Sequence, residues 1–86
     1  MEDPFYNRQP EVVVVHPLSF EAGCDALLHV RDQKTLLVDL SGLEPAIGQR
    51  VVDFLTGAIY ALDGTAARIG EQVFLFAPES TSFSRD

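Results

Sequence analysis

Two short runs, "EVVVVHP" (Glu11–Pro17) and "KTLLVDL" (Lys34–Leu40), constrain the fold more than any other feature of this chain. Both are apolar at their centres, the first through four β-branched valines, without the alternation of a strand that is wet on one side. Each therefore reads as a strand covered on both faces. Between them, Ser19 is placed to cap a helix. Phe20, Cys24, Leu27, Leu28 and Arg31 then fall along one helical stripe, with Asp25 and His29 outside it. A strand–helix–strand unit this short requires parallel strands and a right-handed crossover, which puts the helix on one face of the sheet.

The second half adds a helix and a hairpin. After the turn "SGLEP", Pro45 stands at a first helical position, where a missing N–H costs nothing. The helix is predicted from about Pro45 to Leu62, stopping at the turn pair Asp63-Gly64. "TAARI" and "QVFLFA" flank Gly70-Glu71 and predict a tight antiparallel hairpin, with Gly70 at a positive φ. The expected fold is α/β: a two-layer sandwich of order β-α-β-α-β-β, with two helices on a small four- or five-stranded mixed sheet. A fifth strand would come from Ser82–Ser84. Residues 1–10, polar and bracketed by Pro4 and Pro10, read as a flexible linker, 11–79 as the globular core and 80–86 as a polar tail.

At 86 residues there is room for one core, and 47% apolar against 22% charged content is that of a folded domain. Two helices cannot cover both faces of such a sheet. Yet in the last strand Val73 and Leu75 on one face, and Phe74 and Phe76 on the other, all ask for cover. A second copy of the chain is the simplest source. The long helix repeats the problem. Val51, Leu55, Ala58, Ile59 and Leu62 form the stripe that packs on the sheet, while Phe54, Gly57 and Ala61 are left on another side between Arg50 and Asp53. Gly57 costs a helix interior roughly 1 kcal/mol against alanine. Either another part of the domain lies over it, or a helix-to-helix contact with a second copy does; the second is the expected self-association surface.

Charge and chemistry exclude several functions. A net charge of −7, with six scattered Lys and Arg, argues against nucleic acid and against direct docking on anionic lipid. One cysteine, Cys24, makes no internal disulfide, and its spacing to His16 and His29 matches no zinc pattern. Neither histidine is placed to activate Cys24 as a nucleophile, and "SGLEPAIG" lacks the lysine of a phosphate-binding loop. No catalytic residue, metal or cofactor is expected. The best binding feature is the hairpin: Arg68 near the end of one strand and Phe74 in the next can hold a short peptide by charge and apolar contact together.

"RVVDFLTGAIYALDGTAARIGEQVFLFAPES" (Arg50–Ser80) resembles the signature of the SepF family of bacterial cell-division proteins, and "VVVVHPLSFE" and "LLVDLSGLEP" fit that family's first two strands. The likeness runs from Val12 to about Glu79. It implies a non-enzymatic, cytoplasmic component of the division septum. Such proteins dimerise, assemble further into arcs or rings, bind the C-terminal tail of the tubulin-like protein FtsZ, and tether or bundle its filaments. By position, the resemblance assigns Arg68 and Phe74 to the FtsZ-tail site and Gly57 to a helix-mediated self-association contact. Membrane attachment in the family uses an N-terminal amphipathic helix, which this chain does not show before Glu11. A competing likeness joins "LLVDLSGLEP" to STAS-like regulatory domains, in which Ser41 would be the phosphorylated residue.

Overall fold

A computed structural model describes residues 11–79, so the expected linker at 1–10, the tail at 80–86 and a strand at Ser82–Ser84 lie outside the described residues. The strands are β1 (Val12–Val15), β2 (Thr35–Asp39), β3 (Thr65–Arg68) and β4 (Val73–Ala77). The helices are α1 (Phe20–Asp25), α2 (Leu27–Arg31) and α3 (Pro45–Ala61). Sheet order is β1-β2-β4-β3, with β1 and β2 parallel and the other two pairings antiparallel. This is the expected mixed sheet with a helical layer, except that the first helix is divided at Ala26 into two short pieces.

Side-chain alternation explains why one face is dry. Val51, Leu55 and Ile59 of α3 are fully buried, as are Leu36 and Val38 of β2 and Phe76 of β4. The latter three share a face, because Leu36 lies opposite Phe76 and Val38 opposite Phe74. Each such side chain contributes roughly 1.5–3 kcal/mol on burial, so this contact dominates stability. Among the described residues no helix packs on the other face. There Val14, Leu37, Leu75 and Ala67 form one row across all four strands. Val12 and Val14 remain 58% and 55% exposed, so the expectation that β1 is covered on both faces fails within one chain. Too few elements are present to build a third layer.

The first helical segment also departs from its expected stripe. Gly23, Ala26 and Val30 are buried, whereas Leu28 and Arg31 are exposed and Cys24 is half-buried. The reason is steric. A Cβ at Gly23 would stand 2.8 Å from both methyls of Val51, so the smallest residue sits at the crossing and brings α1 against α3. The larger residues are turned to the rim, where Arg50 covers the Phe20 ring at 4.6 Å. Ser19 caps α1 as expected, its hydroxyl accepting from the Ala22 N–H at 3.0 Å.

Two turns differ in detail. No described glycine has a positive φ; Gln33 and Asp63 take that conformation instead, at 69° and 62°. Gly64 is required for another reason, since a Cβ there would collide with the Ala77 carbonyl oxygen. Gly70 needs no left-handed backbone because the β3–β4 connection, Ile69 to Gln72, is longer than a two-residue turn. Its Gly70 and Glu71 carbonyls accept hydrogen bonds from Arg68.

Gly57 proves open. Nothing lies within 4 Å of a Cβ built on it, so no other described part of the domain covers it. Leu62, placed in the packing stripe by periodicity, stands past the last helical residue and is exposed, while Gly48 takes a buried position one turn before Val51. Gly23→Val is expected to lower stability by about 1–3 kcal/mol through overpacking against Val51. Gly57→Ala at low protein concentration is expected to raise it by up to about 1 kcal/mol through helix propensity. Thermal melts check both, at about 4–8 °C per kcal/mol for a domain of this size.

Candidate functional site

Arg68 ends β3, and the antiparallel register sets it directly opposite Phe74 of β4. Its guanidinium carbon lies 5.8 Å from the Phe74 ring centroid, within cation–π range. The same guanidinium is held from the other side, donating from Nε to the Gly70 carbonyl at 3.1 Å and from Nη2 to the Glu71 carbonyl at 2.8 Å. A flexible side chain is thereby fixed before any partner arrives, which lowers the entropy lost on binding. Two of its five N–H groups serve the turn, and the planar fork has further donors to offer.

This pair forms one wall of a groove of about 180 Å³. The opposite wall is the first half of α3, where Pro45, Gly48 and Val52 face it, and Leu40 lies at its base. Gln49, Gln72 and the acidic Glu71 complete its lining. The groove exists because "SGLEP" carries the chain from the end of β2 to the start of α3 beside the β3–β4 turn. Leu40 anchors that junction through its backbone N–H to the Gln72 carbonyl at 2.8 Å. Arg68 and Phe74 were legible in the sequence as a cation and an aromatic in adjoining strands. Pro45, Gly48 and Val52 were not, since only the tertiary path of α3 brings them across from the hairpin.

The remaining candidates are placed apart. Phe54, Gly57 and Ala61 are exposed on the outer side of α3, with Phe54 44% accessible. His16 pairs with Asp39, its Nδ1 lying 3.3 Å from Oδ2. Burial and the carboxylates of Asp25 and Glu21 push the Cys24 thiol above its ordinary range. Ser41 follows β2, and its backbone N–H donates to the Asp39 carboxylate at 3.0 Å, a turn-stabilising role. That bond, before any charge effect, holds the Asp39 carboxyl below the usual carboxylate range. Among the described residues no group of three or more His, Cys, Asp or Glu is gathered as a metal site, and no helix is long and apolar enough to cross a membrane.

Residues 12–82 match the family model described as cell division protein SepF. The chain belongs to the SepF family. It is 43% identical over 74 residues to a cell division protein SepF of Synechococcus sp. (strain JA-3-3Ab), covering 86% of this chain and 39% of the relative. It is 44% identical over 72 residues to that of Trichodesmium erythraeum, covering 84% and 34% respectively. It thus spans little more than a third of the length of these relatives. Among solved structures, a SepF-like protein from Pyrococcus furiosus superposes with a TM-score of 0.74 at 14% identity, covering 90% of this chain and 96% of that one, which supports the fold. The family match runs through the Asp39–Ser41 turn and the long helix together, where the STAS-like likeness touches only the former.

Because the Cys24 thiol is held protonated more firmly than a free one, its reaction with a disulfide reagent near pH 7 is expected to be slower than that of a free cysteine. The rate is expected to rise only in more alkaline solution. Stopped-flow absorbance across a pH series checks it, and a fast reaction near neutrality would support an activated thiol.

Proposed function

We propose that this chain is the protein-binding core of a bacterial cell-division scaffold, acting without a chemical step. It takes the C-terminal tail of FtsZ into the groove beside Arg68 and Phe74 and pairs with a second copy of itself. By presenting two sites it bundles or tethers FtsZ filaments at the septum, on the cytoplasmic side. The observation that carries this reading is the preorganised pair itself. A guanidinium pinned by two turn carbonyls stands against an aromatic ring, beside a largely polar groove with an apolar part from Leu40, Pro45 and Val52, of a size to receive one or two peptide side chains. An extended acidic peptide with an apolar residue is the ligand such a site suits.

Self-association is supported by what one chain leaves uncovered: the apolar row Val14–Leu37–Leu75–Ala67 on the sheet, and Phe54, Gly57 and Ala61 on α3. Two such surfaces on one molecule allow a dimer through one and longer assemblies through the other. A single groove gives modest affinity. A dimer facing a filament with many tails converts each second binding event into an intramolecular one, and apparent affinity rises by about 10²–10⁴ without new contacts. Membrane attachment is assigned to the family's N-terminal amphipathic helix and not to the residues of this chain.

Arg68→Glu is expected to weaken binding of a labelled FtsZ tail peptide at least about tenfold, the scale of a lost charge-assisted contact, with an unchanged far-UV spectrum. Phe74→Ala is expected to weaken binding too, but with some loss of stability because Phe74 also packs against the core. Fluorescence anisotropy showing wild-type affinity in Arg68→Glu would remove the site assignment. For assembly, sedimentation of Val14→Arg and Gly57→Lys separates the two surfaces. The first is expected to abolish the dimer and the second only larger species.

A further inference from the structure

Gly48 lies within α3, its N–H donating to the Glu44 carbonyl at 2.8 Å, and in a helix only proline is less favourable than glycine. The two usual reasons for a glycine are absent there. No described glycine has a positive φ, so the backbone at Gly48 is open to other residues. Nor does the interior exclude a methyl group. A Cβ built on Gly48 would stand 3.7 Å from Leu40 Cβ and 4.0 Å from Leu40 Cδ1, which are ordinary contacts, whereas at Gly23 the Val51 methyls stand at 2.8 Å. Among the described residues, and apart from the adjoining helix, Leu40 supplies the only atoms within 4 Å of that Cβ. Gly48 lines the groove beside Arg68 and Phe74, so the rest of the added methyl would take up space at the base of the groove.

We propose that Gly48 is a specificity-determining residue of the groove, its missing side chain leaving the depth in which an aliphatic side chain of the bound peptide is seated. This rests on the reading that the groove takes a peptide. The lining sets the chemistry of that peptide. Pro45 and Val52 stand three residues before Gly48 and four after it, on the same side of the helix, so the notch is bordered by aliphatic groups and floored by Leu40. Arg68 is the one cation among the groove's lining residues and Glu71 the one anion, so a ligand carboxylate is drawn to the guanidinium and kept from Glu71. Gln49 donates from Nε2 to the Asp53 carboxylate at 2.9 Å, which orients its amide with Oε1 as an acceptor for a peptide N–H. The ligand class is therefore an extended peptide that carries a carboxylate and, within reach of it, a Leu, Ile or Val. A methyl group at position 48 would occupy the place of that aliphatic side chain's end, and close-packed apolar contacts do not tolerate the overlap.

Stability and binding then move in opposite directions on one substitution. Gly48→Ala is expected to raise the thermal midpoint, by up to about 8 °C, because alanine is the better helix former and fits against Leu40. The same variant is expected to bind a labelled FtsZ tail peptide at least about tenfold more weakly in fluorescence anisotropy, the scale of one methylene in an apolar pocket. A second set of peptides, each with one aliphatic residue shortened to alanine, tests whether the two groups meet. At one position the wild type is expected to lose about tenfold or more while the Gly48→Ala chain loses little, as groups in contact do. Equal affinity of wild type and Gly48→Ala for the tail peptide, or the same loss in both chains at every shortened position, overturns the role of Gly48. Weaker binding accompanied by a lower midpoint overturns it too, since the loss then comes from a damaged fold. In each of these cases Arg68→Glu, measured beside them, still reports on the peptide site itself. A wild-type chain that does not bind the tail peptide overturns the peptide reading and the role of Gly48 together.

Discussion

The structure depends on one contact: a single 17-residue helix laid on one face of a four-stranded sheet. Val51, Leu55 and Ile59 are spaced to meet Leu36, Val38 and Phe76, and these six form most of the fully buried core. Other elements serve that contact. The short segments α1 and α2 close its flank through Gly23 and Val30, and the β3–β4 hairpin widens the sheet so that α3 has something to lie on. A domain this small buries a modest fraction of its surface, and with its helices on one side no described element packs on the other side of the sheet.

That one-sidedness connects the fold to its use. The described helices are committed to one side of the sheet. What remains is surface: an apolar sheet face, an outer helix side with small residues, and a groove where α3 starts beside the hairpin. The groove is the most built of the three. Arg68 is fixed by its own turn, Phe74 is fixed by the core, and the path of "SGLEP" sets the width between them. Protein-binding surfaces that act by avidity need little more than this.

The interplay of small residues also shows why single-sequence patterns mislead at particular places. Gly23 and Gly57 look alike in sequence, each a glycine inside an apolar helical stretch. One sits 2.8 Å from methyl groups of the neighbouring helix, and the other faces open space. The first is a packing device within the domain. The second meets nothing among the described residues, which is the ground for proposing it as a surface for another copy. Helical periodicity alone could not separate them, because it reports direction around an axis and not what lies there.

Much was legible from the sequence alone. The β-branched runs, Ser19, Pro45 and the Asp63-Gly64 turn marked the elements, since backbone preferences and caps act within a few residues. The Arg50–Ser80 stretch resembled its family closely enough to identify it. Arg68 and Phe74 could be singled out because an antiparallel hairpin keeps near neighbours in sequence near in space. Only the tertiary structure decided the rest: which stripe of the first helical segment is buried, that Gly70 needs no positive φ, that Pro45 and Val52 cross to meet the hairpin, and that His16 stands beside Asp39. Each depends on the approach of elements far apart in the chain. That approach is set by the volumes of all the side chains packed between them, which no local pattern contains.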